Sequence, residues 1–423
     1  MSLTSFVKRQ ITSIQQGGRV VLLRKMKRMV MVGVKLPLFV FAIPLVVIIR
    51  AIRPFFLIRF SALISSRIGH FAANTELYLC DRDAGINVPK RRYIDIFYMV
   101  NPISNEQLAK MWRRVFMVWP AWIFAPVVSI NRLLPGAAVH EIGSTHGRDV
   151  HNLYDRFLPH VKFTQEEEAL GEAVLRDMGV PKGAPYVCLN VRDSAYLAGT
   201  GWAYHNYRDS DIQNYVLAAE ELADRGYYVI RMGAKVHEAM KSNHSRVIDY
   251  ASNGMRSDFM DIYLGAKCHF TISTGSGWDE IPGIYRRPVV YVNYGPVGYL
   301  VSYRNQTMSI TKHHFSLSTN RELSLSQIFT EGVGFCMQTS DYESKGVQLI
   351  DNTPEEIRDA AIEMVERLNG TWKPHKDDDG LQKRFWEIFP TDAVDAYEGN
   401  PLHGEIRARF GASFLRNNRS WLQ

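Results

Sequence analysis

From Thr164 onward, short apolar runs alternate with helical patterns, and this alternation constrains the fold more than any other feature of the sequence. Capping signals open two of the helices: Thr164 with Glu167, and Thr353-Pro354 with Glu356. Apolar runs of strand type lie between the helical patterns, at Tyr186–Val191, Tyr227–Met232, His269–Ser273 and Pro288–Val292. Strands that alternate with helices at this spacing predict a parallel sheet with helices on both faces.

Other segments give less regular patterns. Pro54–Arg59 predicts a first buried strand, and Ser210 with Gln213 predicts the cap of a helix over Asp211–Arg225. Lys376–Gly380 predicts a solvated hinge, and Glu405–Leu415 a final amphipathic helix. The sequence also predicts helices over Phe71–Leu79, Glu106–Met117 and Ser257–Ala266, and strands over Arg92–Val100 and Arg246–Tyr250.

A turn of small residues follows the predicted strand His269–Ser273 and consists of Thr274, Gly275, Ser276 and Gly277. A strand that ends at such a turn and leads into a helix leaves backbone N–H groups without an intrahelical partner, and anions bind to such groups. The turn contains neither GxGxxG nor GxxxxGK[ST], which argues against dinucleotide oxidoreductases and P-loop ATPases. A turn of ordinary geometry without a ligand is the alternative.

Two arginines stand at the ends of neighbouring predicted strands, where ligands of parallel sheets bind. Arg192 follows Tyr186–Val191 directly, so its guanidinium could fork onto a phosphate, with Asp193 to orient it. A loop salt bridge is the alternative. Arg231 precedes Gly233 at the end of an apolar strand, where a charge requires either a ligand or a structural ion pair.

Histidine and tyrosine side chains extend the candidate site. The segment His205–Asp209, which contains His205, Asn206, Tyr207 and Arg208, is dense in hydrogen-bonding groups. Tyr204 and Tyr207 could stack on a base or a sugar. A solvated loop is the alternative. His70 stands at a predicted helix start, where an imidazole could act as general base or serve a structural role.

Metal and disulfide chemistry receive no support from the sequence. Asp258, Asp261, Asp279 and Glu280 show no metal-ligand spacing, so we expect no metal or other cofactor in the reaction. The four cysteines are scattered and lack a CxxC pair, which favours a reducing compartment.

Charge is distributed unevenly along the 423 residues, which is a length that predicts two domains plus extra segments. Twelve of the 50 Lys and Arg residues precede Glu76, the first acidic residue, whereas the remainder carries more acidic than basic residues. The body therefore lacks the clustered basic face of a nucleic-acid binder, while the N-terminal arm is expected to meet an anionic surface.

An apolar stretch, Met29–Ile49, follows this basic arm and is interrupted by Pro37 and Pro44. Its longest uncharged run, Leu36–Ile49, is shorter than the roughly 20 residues of a spanning helix. We expect an interfacial or re-entrant anchor on anionic lipid, with a single span or a buried helical hairpin as alternatives. Basic clusters on both sides of the stretch would place both ends on the cytoplasmic side.

An ordered series of motifs resembles a bacterial family of glycosyltransferases that is associated with surface polysaccharides. The resemblance extends from about Pro54 to Leu422 and rests on RIGH (Arg67–His70), NVRDSAY (Asn190–Tyr196), HNYRDSDI (His205–Ile212), VIRMG (Val229–Gly233), SDFMDIYL (Ser257–Leu264) and STGSGWDEIP (Ser273–Pro282). The second half of the chain is similar to the nucleotide-sugar domain of two-domain, GT-B glycosyltransferases.

This resemblance implies roles for individual residues. The small-residue turn, Arg192 and Arg231 would hold the donor diphosphate without a metal, and His70 would be the acceptor base. The resemblance places Trp278 at the donor as well, although a smaller residue is expected there. The predicted donor-binding set is Asp193, His205, Asn206, Tyr207, Arg208, Gly233, Thr274, Gly275, Ser276, Gly277 and Trp278, and the predicted catalytic set is His70, Arg192 and Arg231.

We therefore predict an α/β protein with two Rossmann-like domains of GT-B type and an N-terminal membrane-associated helical arm. The predicted parts are the arm (1–52), an acceptor-side domain (53–163), a nucleotide-sugar domain (164–370) and a helical extension (371–423). The predicted activity is sugar transfer from a nucleotide-sugar donor to a lipid-linked or surface-glycan acceptor, at the cytoplasmic face of the inner membrane. A nucleotide-sugar epimerase and a non-catalytic glycan- or nucleotide-binding scaffold are the alternatives.

Overall fold

The structure, a computed structural model, describes residues 37–143, 147–197, 203–396 and 399–423. The predicted basic arm over residues 1–28 lies outside these residues. The chain forms two compact units, and each consists of several chain segments. Of the described residues, the smaller unit comprises 37–63, Val88–Val100 and Phe116–Gly143, and the larger comprises Ile64–Asn87, Asn101–Val115 and those from 147 onward. The division of the sequence at residues 52, 163 and 370 stays a prediction.

Helices and strands alternate along most of the chain. The helices are α1 (37–51), α2 (Ile68–Asp83), α3 (Glu106–Val115), α4 (Ala121–Arg132), α5 (Gln165–Asp177), α6 (Val216–Asp224), α7 (Asp258–Lys267), α8 (Glu280–Ile284), α9 (Leu325–Thr330), α10 (Thr339–Ser344), α11 (Pro354–Leu368), α12 (Asp378–Ile388) and α13 (Ala412–Asn417). The strands are β1 (Leu57–Leu63), β2 (Tyr93–Met99), β3 (Tyr186–Asn190), β4 (Tyr228–Met232), β5 (Val247–Ile248), β6 (Phe270–Ser273), β7 (Val289–Tyr294), β8 (Thr307–Thr311), β9 (His313–Ser316), β10 (Arg321–Glu322), β11 (Val347–Ile350) and β12 (Arg409–Phe410).

The smaller unit is built on the parallel strands β1 and β2. One face of α1 packs against these strands and against α4, and this core includes Ala42, Val46, Phe60, Phe124 and Val127. The side chains of Arg59 and Asp95, which lie opposite each other on the two strands, form an ion pair of 2.7 Å. Within the described ranges, none of the helices combines the length and the apolar composition that a bilayer-crossing segment requires.

The larger unit contains a seven-stranded sheet with the strand order β12-β8-β7-β6-β3-β4-β5. Every neighbouring pair in this sheet is parallel. Alternate residues of the central strand β3 face opposite layers: Val187 and Leu189 pack with α6 and α11, whereas Cys188 packs with α7. The predicted α/β class, with a parallel sheet covered by helices on both faces, is confirmed for this unit.

Local signals located the starts of α5 and α11 in the larger unit. Thr164 and Thr353 form the predicted capping boxes of α5 and α11. The cap of the segment after Ser210 was predicted incorrectly, because the Asp211 carboxylate accepts the hydrogen bond from the Gln213 N–H, and a 3₁₀ turn precedes α6. Asp211 can cap as well as serine can, so the sequence did not distinguish the two.

Three further predictions are wrong in part. Residues 53–55 form a turn after α1, closed by hydrogen bonds from the Phe55 and Phe56 N–H groups to the Ile52 carbonyl, so β1 begins only at Leu57. The acidic run predicted as a hinge starts α12, where the buried Asp378 pairs with Arg416. The predicted last helix is preceded by the two-residue strand β12, which pairs with β8 at the edge of the sheet.

Candidate functional site

The buried carboxyl group of Asp279 organises the small-residue turn after β6. Asp279 is 1% exposed and accepts hydrogen bonds from Ser273 Oγ at 2.5 Å, from Asn190 Nδ2 at 2.8 Å and from the Ser276 N–H. Burial raises the pKa of this carboxyl group to about 6, although the hydrogen bonds oppose the shift. The hydrogen bonds of Asp279 join the carboxyl ends of the neighbouring strands β3 and β6 to the turn.

The backbone amides of the turn are mostly used within the protein. The Gly275 N–H donates to Ser273 Oγ at 3.2 Å, and the Ser276 N–H donates to Asp279. The Thr274 N–H donates to the Asn190 carbonyl at 3.3 Å. These three amides therefore do not form the predicted phosphate cradle. Among the four amides of the turn, only that of Gly277 has no acceptor within the described part of the chain.

The first turn of α2 supplies the amide donors that the small-residue turn itself lacks. A Cβ atom on Gly69 would lie 2.9 Å from Gly277 Cα, so the two backbones are in direct contact at two glycines. Arg67 is the N-cap residue, and its side chain makes no capping hydrogen bond. The first amides of α2 have no acceptor within the helix, and the dipole of this 16-residue helix adds positive potential at the same point.

Arg192 presents a buried guanidinium next to the turn. Its backbone N–H donates to Thr274 Oγ1 at 3.0 Å, and its Nε donates to Asp209 Oδ1 at 3.1 Å. Its Nη2 is buried and has no acceptor among the described residues. Asp209, and not Asp193 as predicted, orients this guanidinium. Asp193 instead accepts the backbone N–H of His237 at 2.9 Å.

Arg208 adds a second guanidinium at the turn. Its Nη2 donates to the Gly275 carbonyl, while its Nε is buried without an acceptor in the described ranges. Burial lowers the pKa of Arg192, and the charge of Arg208 lowers it further. The pKa of His205 is lowered by burial and by the charges of Arg208 and Arg192, so its imidazole is neutral near pH 7. In each case burial is the largest cause, and the neighbouring guanidinium charge adds to it.

The other residues of the His205–Arg208 segment differ in exposure. Asn206 is exposed, whereas Tyr207 is buried with its ring centroid 5.3 Å from that of Tyr342. The Tyr207 ring therefore packs within the protein, whereas Tyr204 is 38% exposed, and stacking of either ring on a base or a sugar stays a prediction.

Arg231 and Gly233 do not join the cluster at the turn. Arg231 is 1% exposed, and its Nη1 donates to Asp249 Oδ2 at 3.0 Å and to the Glu238 carbonyl at 2.6 Å. In register it lies opposite Leu189, one residue before Asn190, so its side chain is on the other face of the sheet from the Asp279 network. A Cβ atom on Gly233 would lie 2.7 Å from Val236 Cγ1. Both residues thus have structural contacts, and the catalytic role of Arg231 stays a prediction.

Trp278 also has a structural explanation. Its indole Nε1–H donates to the Asp261 carbonyl at 2.9 Å, and its ring packs in the core beside α7. The side chain therefore fixes the start of α8 to α7. This contact explains why a large residue follows the turn.

A cavity of about 320 Å³ lies beside Arg192 at the carboxyl end of β3. Its lining is acidic and includes Asp193, Asp209, Asp211, Glu238 and Asp351. Carboxylates accept hydrogen bonds and repel phosphate, so this cavity suits hydroxyl groups or a cation. The site thus combines a cationic part at the turn with an acidic part next to it.

His70 is exposed on the first turn of α2, one residue after Gly69. Its Nδ1 lies 3.2 Å from Asn74 Oδ1. If Nδ1 carries the proton and donates it to this amide oxygen, Nε2 is left with a lone pair and can act as a base. The structure thus places His70 in the same compact unit as the turn.

Sequence reasoning missed two contributors to this site. Asp279 was considered only as a metal ligand, although its position three residues after Ser276 is the spacing of a capping box. The first turn of α2 was assigned to a different domain. The glycines at positions 69 and 277 were the available signal, because a close approach of two backbones requires glycine.

No protein-family model matches the chain, and no match to a curated protein is found. Among solved structures, the chain is similar to a family 9 glycosyl transferase from Veillonella parvula, with a TM-score of 0.45 and 10% identity over 74% of this chain and 98% of that one. It is similar to the ADP-heptose LPS heptosyltransferase II of Escherichia coli, with a TM-score of 0.34 and 12% identity over 60% and 90% of the two chains. A protein described as a UDP-N-acetylglucosamine 2-epimerase from Listeria monocytogenes gives a TM-score of 0.27 and 10% identity over 76% and 98%. TM-scores below 0.5 do not establish a common fold.

Proposed function

We propose that this protein is a glycosyltransferase that moves a sugar from a nucleotide-sugar donor to a lipid-linked or surface-glycan acceptor. The observation that carries the proposal is the convergence of the α2 N-terminus, Arg192 and Arg208 at the turn after β6. Two guanidiniums and a helix N-terminus attract an anion with several oxygens, and a diphosphate is such a group. The sequence resemblance to glycosyltransferases supports the same function.

The donor diphosphate would bind to the first amides of α2, the Gly277 amide and the two guanidiniums. Arg192 Nη2 and Arg208 Nε are buried donors without acceptors in the described residues, so a bound phosphate oxygen would satisfy them. These fixed donors would stabilise the charge that develops on the leaving diphosphate. The proposal therefore assigns to protein groups the positive charge that a metal ion supplies in other transferases, and it includes no catalytic metal.

The acidic cavity would bind the hydroxyl-rich part of the donor. Its carboxylates, among them Asp193 and Asp351, can accept hydrogen bonds from ribose or hexose hydroxyl groups. Asp209 would connect the two parts, because it lines the cavity and also holds the Arg192 guanidinium.

His70 would act as the general base toward the acceptor. Its Nε2 would take the proton of the acceptor hydroxyl as the hydroxyl oxygen bonds to the anomeric carbon of the sugar. The bond from that carbon to the phosphate oxygen breaks in the same step, and the nucleoside diphosphate leaves with the electron pair. The position of His70 on the first turn of α2 places it next to the proposed phosphate site.

The experiment that tests this function measures donor consumption and sugar transfer for the wild type and for His70→Ala. General-base catalysis contributes about 10²–10⁴-fold, so the variant should lose turnover by such a factor and bind donor unchanged. His151→Ala is a matched control because His151 is also exposed in the larger unit. Donor binding without turnover in the wild type would indicate a scaffold, and epimerised donor an epimerase. Either result contradicts the proposal.

We also propose that the protein works at the cytoplasmic face of a membrane with anionic lipids. The side of α1 that faces away from the core of the smaller unit is apolar and exposed, with Val40, Phe41, Ile43, Val47 and Ile48 more than half exposed. Arg50 and Arg53 follow at the end of the same helix. An exposed apolar helix face next to basic residues is suited to the interfacial layer of such a membrane.

A further inference from the structure

A cluster of three metal-ligating residues lies along α2 behind the proposed phosphate site. Glu76, Cys80 and His160 each offer one ligand atom, and these atoms all lie within 4.8 Å of one another. Glu76 and Cys80 are four residues apart on α2, so they share one face of the helix. Glu76 lies seven residues beyond Gly69, or about 10 Å along the helix axis. The cluster is therefore separate from the groups that would contact the donor.

Glu76 shows an unsatisfied acceptor in this cluster. Its side chain is fully buried, and its Oε1 lies 2.7 Å from Arg286 Nη2 and 3.2 Å from His160 Nδ1. Its Oε2 is buried as well and has no hydrogen-bond donor in the part of the chain that the structure describes. A buried carboxylate oxygen without a partner is costly, so a cation at this oxygen would stabilise the folded protein.

His160 is oriented in the way that histidine ligands are commonly oriented. Its Nε2 lies 3.0 Å from Asp83 Oδ2, while its Nδ1 points at the Glu76 carboxylate. Donation from Nε2–H to Asp83 leaves the Nδ1 lone pair available for a metal ion, as in carboxylate–histidine–metal arrangements. Asp83 is on the next turn of α2, so a single helix supplies two ligands and the carboxylate that orients the third.

We propose that Glu76, Cys80 and His160 bind a zinc-class divalent cation as a structural site. Thiolate, imidazole and carboxylate are together the ligands that Zn²⁺ prefers, at about 2.0–2.3 Å from the metal. Ligand atoms in a tetrahedral site are then roughly 3.3–3.8 Å apart, so atoms at the 4.8 Å limit of the observed cluster would have to approach by about 1–1.5 Å. Binding replaces the proton of the Cys80 thiol by the metal.

Arg286 is the group that competes with the metal for this cluster. Its Nη2 contacts Glu76 Oε1 and lies 3.7 Å from Cys80 Sγ, while its Nε donates to the backbone carbonyls of Tyr154 and Phe157. The guanidinium therefore holds Glu76 Oε1 and the loop that precedes His160. The charge of Asp83, together with Glu76 and the Cys80 thiolate, would offset that of a divalent cation beside this guanidinium.

The site would tie α2 to the loop that carries His160. Because α2 presents its N-terminus to the small-residue turn, a metal in the middle of the helix would stabilise the position of that N-terminus. The metal site does not depend on the proposed function and would remain if the donor were of another class.

The test uses the full chain, purified from a metal-free medium and then incubated with Zn²⁺ or Co²⁺. We expect about one Zn²⁺ per chain after gel filtration, measured by inductively coupled plasma mass spectrometry, and a higher melting temperature than in EDTA. The Co²⁺ form should show a thiolate-to-cobalt charge-transfer band in the near ultraviolet. Cys80→Ala should lose the band and the bound zinc, and His160→Gln should weaken zinc binding.

Cys336→Ala is the matched control, since Cys336 is also a buried free cysteine but lies outside the cluster. It should retain both the zinc and the cobalt band. If the wild type carries no more zinc than Cys80→Ala, or if its cobalt form lacks the charge-transfer band, the cluster is only a network of ion pairs and the proposal is wrong. The wild-type spectrum decides this even if a variant fails to fold.

Discussion

At the scale of single residues, Asp279 determines how the small-residue turn can bind a ligand. Its carboxyl group takes up the Ser276 amide and, through Ser273, fixes the Gly275 amide. The turn is thus rigid but has few free donors of its own, so an anion has to be held by Arg192, Arg208 and the α2 N-terminus. The turn therefore provides a rigid support, and Arg192, Arg208 and the α2 N-terminus supply the positive charge.

The raised pKa of Asp279 predicts a pH-dependent contribution to stability. The folded protein holds the Asp279 proton more tightly than the unfolded chain, whose carboxyl has a pKa of 3.8, against about 6 when folded. The contribution of this group to the free energy of unfolding therefore falls as the pH rises from 3.8 to about 6, by about 3 kcal/mol in all, and is constant at higher pH.

Asp279→Asn removes this titration, so the difference in the free energy of unfolding between wild type and variant should be larger at about pH 4 than at about pH 7.5. Urea denaturation at the two pH values measures it. An equal difference at both would show that Asp279 does not titrate in this range in the folded protein.

At the scale of elements, the contact between α2 and the turn depends on two glycines. A Cβ atom on Gly69 would lie 2.9 Å from Gly277 Cα and 3.0 Å from its carbonyl oxygen, and backbone atoms cannot move aside as a flexible side chain can. The position of the α2 N-terminus, and with it the proposed phosphate site, therefore depends on the absence of a side chain at Gly69.

Gly69→Ala should lower the free energy of unfolding by about 1–3 kcal/mol because of overpacking, and it should also weaken donor binding. Gly380→Ala is the control, since Gly380 lies in α12 and a Cβ atom there would meet no atom within 4 Å. That substitution should leave stability unchanged or raise it by up to about 1 kcal/mol. Equal stability of Gly69→Ala and the wild type, measured by urea denaturation, would contradict the described contact.

Elements with strong local signals could be predicted from the sequence, whereas those fixed by distant contacts could not. The capping boxes at Thr164 and Thr353 and the buried strands β3, β4, β6 and β7 belong to the first group, whereas the buried strand β8 was not predicted. The edge strand β12 belongs to the second, because two residues carry no periodicity and depend on pairing with β8. For the candidate site, the sequence predicted Arg192 and the turn. It did not predict the ion-pair partners of Arg192 and Arg231, because an ion pair between two loops leaves no pattern in the sequence.

At the scale of the whole molecule, the proposed function requires a donor site in the larger unit and a face of α1 in the smaller unit that would bind lipid. The exposed face of α1 carries Phe41 at 76% exposure and Ile48 at 56%, which is unusual for apolar side chains in water. Their burial in a lipid interface would stabilise membrane binding by about 2 kcal/mol each.

Phe41→Glu with Ile48→Glu removes both contributions and should therefore weaken binding to vesicles with anionic lipid by on the order of 1,000-fold. Leu170→Glu is the control, because Leu170 is 51% exposed on α5 of the larger unit. Co-sedimentation with the vesicles measures the effect. Equal sedimentation of the double variant and the wild type would exclude this face of α1 as the contact with lipid.

The most direct test of the central claim is the binding of nucleotide sugars to the cationic cluster. A thermal-shift screen of UDP-, GDP-, CMP- and ADP-sugars selects a ligand, and titration calorimetry then compares the wild type, Arg208→Ala and the control Arg225→Ala, whose side chain pairs with Glu221 on α6. A nucleoside diphosphate sugar should bind to the wild type and to the control Arg225→Ala. It should bind about 10- to 100-fold more weakly to Arg208→Ala, because a hydrogen bond to a charged group contributes about 1.5–3 kcal/mol. Unchanged affinity in Arg208→Ala, or no binding of any nucleotide sugar to the wild type, would contradict the proposed donor site.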